Sequence, residues 1–158
     1  MLTDAEIIAK YGQPGDVDNF TVIQLPYPMR IAWDLSHSVT KIQCHKLIAL
    51  PLSNVFNVLL SSYGYDELKK LEIDLYGGCV NVRPMRGTEK WKVPKWSRHS
   101  WGIAIDLSPE KNALKTKKPI AQFSHPEYQK MIDVFYANGF FSLGVEKGYD
   151  YMHFEINQ

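Results

Sequence analysis

The chain has 158 residues, 45% of them hydrophobic and 22% charged, which suits one globular domain able to bury its own core. A formal net charge of +1 excludes a bulk electrostatic pull toward nucleic acid or an anionic membrane, although lysines gather at Lys90–Lys95 and Lys115–Lys118. Two cysteines, Cys44 and Cys79, are too few for a disulfide framework and read as free buried thiols.

Met1 to Glu6 carries no basic or apolar leader, so no signal peptide is expected. No run approaches the ~18 apolar residues of a membrane span. Thr3 to Tyr11 reads as a helix: Thr3 and Glu6 form a capping box, and Ile7, Ile8 and Tyr11 share one face. Gln13 to Asn19 is turn-forming around Pro14-Gly15. Pro26 and Pro28 argue that Phe20 to Trp33 is an extended edge segment or ordered loop, not a central strand. Val39 to Leu50 is ambiguous; within it, Cys44-His45 reads as a core cysteine beside a surface or capping histidine. Ser53 to Tyr63 has helical spacing of Val55, Phe56, Leu59, Leu60 and Tyr63, with Ser53 as cap and Gly64 as stop. Asp66 to Leu71 adds one or two turns.

Tyr76-Gly77-Gly78 reads as a turn into an alternating strand, Cys79 to Arg83, ended by Pro84. Gly87 to Lys95 is a polar loop. Ile103 to Leu107 is the clearest strand, with Ile103, Ile105 and Leu107 on one face and Ala104 and Asp106 on the other. Ser108 to Gln122 reads as a solvated lysine-rich loop. Pro126 opens a helix whose apolar face is Tyr128, Met131, Ile132 and Phe135, and Gly139 closes it. Phe140-Phe141 and Tyr151 to Ile156 are the last strands; in the latter, His153 and Glu155 share a face opposite Phe154 and Ile156.

Two stretches concentrate chemistry. Ser97 to Asp106 sets His99 seven positions before Asp106, an acid embedded in an apolar strand, where it is costly unless paired or metal-bound. Asp150-Tyr151-Met152-His153-Phe154-Glu155 adds a second imidazole with a carboxylate three residues before it. Two histidines and one carboxylate with an open fourth position are the ligand set of catalytic zinc. Ser97 and Ser100 flank His99, but no histidine–acid relay is spaced to activate a serine. Trp96, Trp101 and Tyr151 are either cleft aromatics or core.

Ser97-Arg98-His99-Ser100-Trp101-Gly102-Ile103-Ala104-Ile105-Asp106 resembles the Ser-x-His-x-x-Gly-x-Ala-x-Asp motif of the D-alanyl-D-alanine carboxypeptidase / L-alanyl-D-glutamate endopeptidase family of zinc peptidases. Asp150 to Glu155 is similar to that family's Asp-x-x-His-Phe-Glu motif, and Gly78 to Gly87 resembles the arginine-bearing segment of its phage-type members. The resemblance, over roughly Gly77 to Glu155 and more loosely the N-terminal half, implies a small α+β domain with helices packed on one side of an antiparallel sheet that carries the site; the sequence shows no repeat or linker, so residues 1–158 are expected to form one domain with no separate wall-binding module. The resemblance also implies one zinc ion on His99, Asp106 and His153, and Asp150 as general base. Arg83 would assist at the substrate carbonyl or its carboxylate, with Arg86 as its substitute; Glu155 is either a partner of His153 or a surface residue. Many relatives carry Trp-Gly-Gly where this chain has Phe141-Ser142-Leu143-Gly144, so the pocket wall is expected to differ.

The function implied is a phage endolysin that hydrolyses the peptidoglycan stem peptide between L-alanine and D-glutamate. It would act as a monomer, held in the host cytoplasm until released to the wall, without nucleic-acid partners or stable membrane insertion. A D,D-carboxypeptidase and a non-catalytic zinc-stabilised binding module on the same fold are the alternatives; Asp150 favours an enzyme, because a binding module needs no base.

Overall fold

A computed structural model describes residues 1–158. Helix α1, Asp4–Tyr11, starts with the capping box: Thr3 Oγ1 accepts from Glu6 N, and the Glu6 carboxylate accepts from Thr3 N. Ile7 and Tyr11 turn inward, whereas Ile8, placed on the same face by its spacing, is exposed.

Strands β1, Phe20–Ile31, and β2, Asp34–His45, form a long antiparallel hairpin. Here the structure overturns the reading of the prolines. β1 lies between β2 and β3, Leu75–Gly78, in a six-stranded sheet of order β2-β1-β3-β4-β6-β5. Pro26 and Pro28 are tolerated because the β1–β2 register breaks between Gln24 and Met29, so their missing N–H groups interrupt no ladder. Ile23, Leu25, Tyr27 and Met29 still alternate into the core. The edge strand is β2; its last residue, His45, caps a short 3₁₀ turn by accepting from Leu47 N.

Helix α2, Ala49–Tyr63, begins four residues before Ser53, which is therefore not its cap. Pro51 falls in the first turn, where backbone N–H groups lack intrahelical partners anyway. Helix α3, Tyr65–Lys70, follows. The strand expected at Cys79 to Arg83 sits earlier, as β3, and Cys79 to Arg83 is extended chain outside the ladder.

β4, Ala104–Leu107, and β6, His153–Ile156, pair antiparallel, with Asp106 opposite His153. β5, Phe140–Ser142, closes the far edge. Only β1 and β3 run parallel, so the α+β architecture with a mostly antiparallel sheet holds. Helix α4, Gln129–Ala137, follows a 3₁₀ turn that starts at Pro126, and α5, Leu143–Lys147, is a short helix capped by Ser142, which accepts from Val145 N, and ended by left-handed Gly148. α2 packs on β1 and touches α4, which packs behind β5 and β6. No helix is long and apolar enough to cross a membrane.

The segment from Ser108 to Gln122 is not simply solvated. Ser108, Asn112 and Ala121 are buried, and Asn112 accepts from Phe123 N through its side chain. Its backbone carbonyls at Leu114 and Asn112 accept from Asp150 N and Met152 N, fixing the stretch that leads into β6.

Candidate metal centre

The strand pairing explains how two distant motifs meet. Asp106 and His153 are direct antiparallel partners on β4 and β6, and the alternation that turns Phe154 inward turns both toward the same face. His99 arrives from the 3₁₀ turn Arg98–Trp101, whose start Ser97 caps by accepting from His99 N. Gly102 ends that turn in the left-handed region at φ 67°, where a Cβ would lie 2.9 Å from His45 N. Ser97 and Gly102 therefore shape the backbone around His99.

The ligating atoms of His99, Asp106 and His153 lie within 4.8 Å of one another. The two imidazoles meet edge to face, with 5.0 Å between centroids. His99 Nδ1 donates to the Cys79 carbonyl at 2.8 Å, which leaves Nε2 with a lone pair. That Nε2 is buried, lies 3.2 Å from Asp106 Oδ1, and makes no hydrogen bond. A buried acceptor nitrogen beside a carboxylate, both lone pairs facing one space, is the state expected of two ligands to one cation. His153 Nδ1 sits 3.1 Å from the same Asp106 oxygen, while its Nε2 faces Glu155 Oε1 at 3.1 Å. The donor set of two imidazoles and one carboxylate thus fits a divalent ion such as zinc.

Charge also draws the carboxylate and the imidazoles of this cluster together. Burial alone would raise the Asp106 carboxyl, but the two imidazoles outweigh it and hold it well below the usual carboxylate range. Burial alone would lower His153; Asp106 and Glu155 on its two sides instead raise it to about 10.

Asp150 stands at the rim of this cluster with φ 56°, a left-handed conformation that Asp tolerates better than most residues. It is a turn aspartate and a pocket residue at once. Its carbonyl accepts from His153 N, its N–H donates to Leu114 O, and its carboxylate oxygen Oδ1 is buried without a partner. Burial, helped by Asp106, raises its carboxyl above the ordinary value against the opposing pull of His153, His99 and Arg86.

Arg83 and Arg86 both line the pocket over the cluster, so both expected arginines are brought to it. Arg83 is half-buried and anchored: Ser100 Oγ accepts from Arg83 N at 3.0 Å and donates to Arg83 O at 2.9 Å. Arg86 is exposed on the loop that follows, a lobe pinned by buried Thr88 and by the pairing of Pro84 with Trp96.

The aromatic expectations separate. Trp101 is buried and donates its indole N–H to Gly12 O, Tyr151 is buried against Gly144, and Trp96 stands outside the pocket. The apolar wall comes from Met85, Leu114, Leu143, Tyr149 and Met152. None of these has a periodic signal, because they reach the pocket from loops and element ends. Leu143 belongs to the stretch Phe141–Gly144 where a different wall was expected, and it does line the pocket. Cys44 and Cys79 are both free and buried; desolvation pushes the Cys44 thiol up to about 12.

An α+β sheet that presents a buried His-Asp-His cluster, an adjacent unpartnered carboxylate and two arginines in one pocket has the parts of a metal-dependent hydrolase. A family model described as D-alanyl-D-alanine carboxypeptidase matches residues 91–156, a stretch containing His99, Asp106, Asp150 and His153 but not Arg83. The match supports a peptidase. No curated protein matches the chain.

Proposed function

We propose that the chain is a zinc-dependent peptidoglycan peptidase that hydrolyses the stem peptide at the L-alanyl-D-glutamate bond, as an endolysin. The observation that carries this is the buried, unpartnered Nε2 of His99 converging with Asp106 and His153 beside the unpartnered carboxylate of Asp150. One zinc ion on His99, Asp106 and His153 would polarise the scissile carbonyl and bring the pKa of water toward ~7.

The remaining steps belong to side chains of the pocket. Asp150 accepts the proton of the attacking water and passes it to the leaving amine. Its raised carboxyl suits this exchange, because a base tuned toward the working pH can both take and return a proton. Arg83 stabilises charge that develops on the carbonyl oxygen, a contribution of ~3 kcal/mol for one preorganised donor. Arg86, on the exposed side, holds a substrate carboxylate. Met85, Leu143 and Tyr149 offer the peptide an apolar surface.

The likeness of residues 78–87 to the arginine segment of phage-type relatives supports the endolysin role. In that role the protein is a monomer, held in the host cytoplasm until another protein opens the route to the wall. The description of the matching family favours a second reading, a D,D-carboxypeptidase that trims terminal D-alanine.

Mass spectrometry of purified Gram-negative peptidoglycan, incubated with the protein with and without a chelator, tests both. Stem peptides beginning at D-glutamate, lost on chelation, are expected. Release of D-alanine alone would move the assignment to the carboxypeptidase. No metal-dependent release from zinc-loaded protein would overturn the enzymatic reading in favour of a binding module.

A further inference from the structure

We infer that Arg98 is a positioning residue for the metal ligand His153, acting through Glu155 and anchored by the first helix; this rests on the metal-site reading above. His153 has two ring nitrogens, and only one can face a metal. Its Nε2 lies 3.1 Å from Glu155 Oε1, so Nε2–H donates there and Nδ1 is turned to the space shared with Asp106 and His99.

A glutamate alone is a loose support, since several rotatable bonds let its carboxylate swing away. Here the second oxygen, Oε2, lies 3.5 Å from Arg98 Nε. The same guanidinium donates to Asp4 Oδ1 at 2.7 Å and to the Leu2 carbonyl at 3.1 Å. The fork thus ties the start of α1 to the last strand. Glu155 is 6% exposed, so its charge is held away from water with two partners, the imidazole and the guanidinium. Without Arg98 that carboxylate would have less reason to stay turned from the pocket that both residues line. The planar fork is needed: a lysine ammonium cannot reach Glu155, Asp4 and Leu2 O in fixed directions at once.

The test is equilibrium zinc binding, by competition with a chromophoric chelator, on wild type, E155Q, R98M, R98K and R98M/E155Q. Circular dichroism of each metal-free protein reports whether it folds. E155Q keeps an acceptor for Nε2–H but loses the charge that Arg98 holds, and is expected to weaken zinc ~10-fold or more. R98M is expected to weaken it ~3- to 10-fold, with R98K between R98M and wild type. The double variant should be no weaker than E155Q, because the effect of Arg98 passes through Glu155. The Nε2 proton of His153 in zinc-loaded protein, followed by ¹⁵N NMR, should exchange faster in R98M than in wild type.

Additive losses in the double variant, or R98M within twofold of wild type with an unchanged Nε2 proton, would overturn the inference. If R98M does not fold, R98K and E155Q decide it by the same two readouts: wild-type affinity in both overturns it. Absence of zinc binding by wild type itself would instead sink the metal-site reading on which the inference stands.

Discussion

The ring of Phe135 lies flat on the ring of Phe154, 4.0 Å between centroids and 14° between planes. Phe135 belongs to α4 and Phe154 to β6, one residue after His153, so the helix braces the strand from the side opposite the His-Asp-His cluster. Both rings are fully buried, and Phe123 and Phe140 extend the cluster. The Phe135→Ala variant should lose about 3–5 kcal/mol of stability, the usual cost of such a cavity. Urea unfolding of metal-free protein would show it as a lower midpoint at unchanged slope. A loss under 1 kcal/mol would mean that the stack does not brace β6.

On the proposed metal site, removal of zinc should destabilise the fold, because His99, Asp106 and His153 converge only in the folded chain. At free zinc 100-fold above the dissociation constant, the linkage amounts to about 2.7 kcal/mol, read as a lower unfolding midpoint in chelator. Affinity should also depend on pH with a definite sign. Asp106 and Glu155 raise metal-free His153 to about 10 against the opposing effect of burial, so at neutral pH both its ring nitrogens carry protons. Zinc must displace the proton on Nδ1, and binding should tighten by about tenfold per pH unit below that value. A pH-independent affinity between pH 6 and 8 would show that no ligand proton is displaced in that range, and that the flanking carboxylates do not keep His153 protonated.

The Asp150→Asn variant separates base from ligand. It should lose turnover by at least ~100-fold while zinc remains bound, since Asp150 stands beside the three-ligand cluster and outside it. Stability should move the other way. Burial raises the Asp150 carboxyl above its model-peptide value of 3.8, so the folded chain holds that proton more tightly than the unfolded chain does. Asp150 therefore opposes folding once pH exceeds its raised value, and this opposition disappears as pH falls toward the unfolded value. Metal-free Asp150→Asn protein should be more stable than wild type at pH 7, with the difference shrinking near pH 4. Equal stability at pH 7 would show that the carboxylate is not desolvated.

The site was more legible in the sequence than the fold around it. The convergence of His99, Asp106 and His153 is announced by residue type and by the resemblance of their two motifs; alternation places Asp106 and His153 on β4 and β6, whereas His99 comes from a 3₁₀ turn that no periodicity records. β1 was misread because Pro26 and Pro28 look forbidden until the broken register shows that no ladder bond is required of them. Cys79 to Arg83 imitates a strand, but its backbone is held by the His99 segment: Cys79 O accepts from the imidazole, Asn81 N donates to His99 O, and Arg83 is clasped by Ser100. Those bonds join side chain to backbone, or loop to loop, and no periodicity records them. The same holds for Arg98, whose partners Asp4 and Glu155 lie at opposite ends of the chain.

Gly77 offers a test of how tightly the sheet holds Asp106. A Cβ at this position would lie 3.0 Å from the Asp106 carbonyl oxygen and 3.1 Å from Asp106 Cβ, both on the neighbouring strand β4. Glycine suits this close approach of two backbones, since an added Cβ would require β4 to give by a few tenths of an ångström. An added methyl cannot be relieved by rotating a flexible side chain, because the atoms it meets are the backbone and first carbon of a ligand. The Gly77→Ala variant should therefore push β4 away from β3 and move the carboxylate relative to His99 and His153. Zinc affinity is expected to fall ~10-fold, a loss of the size seen when ligand supports are disturbed, with a lower thermal midpoint for the metal-free protein. Competition titration and thermal unfolding measure the two effects separately. Wild-type zinc affinity in a destabilised variant would show that the strand shifts without carrying Asp106 with it, and that β6, not β3, sets the position of the ligand.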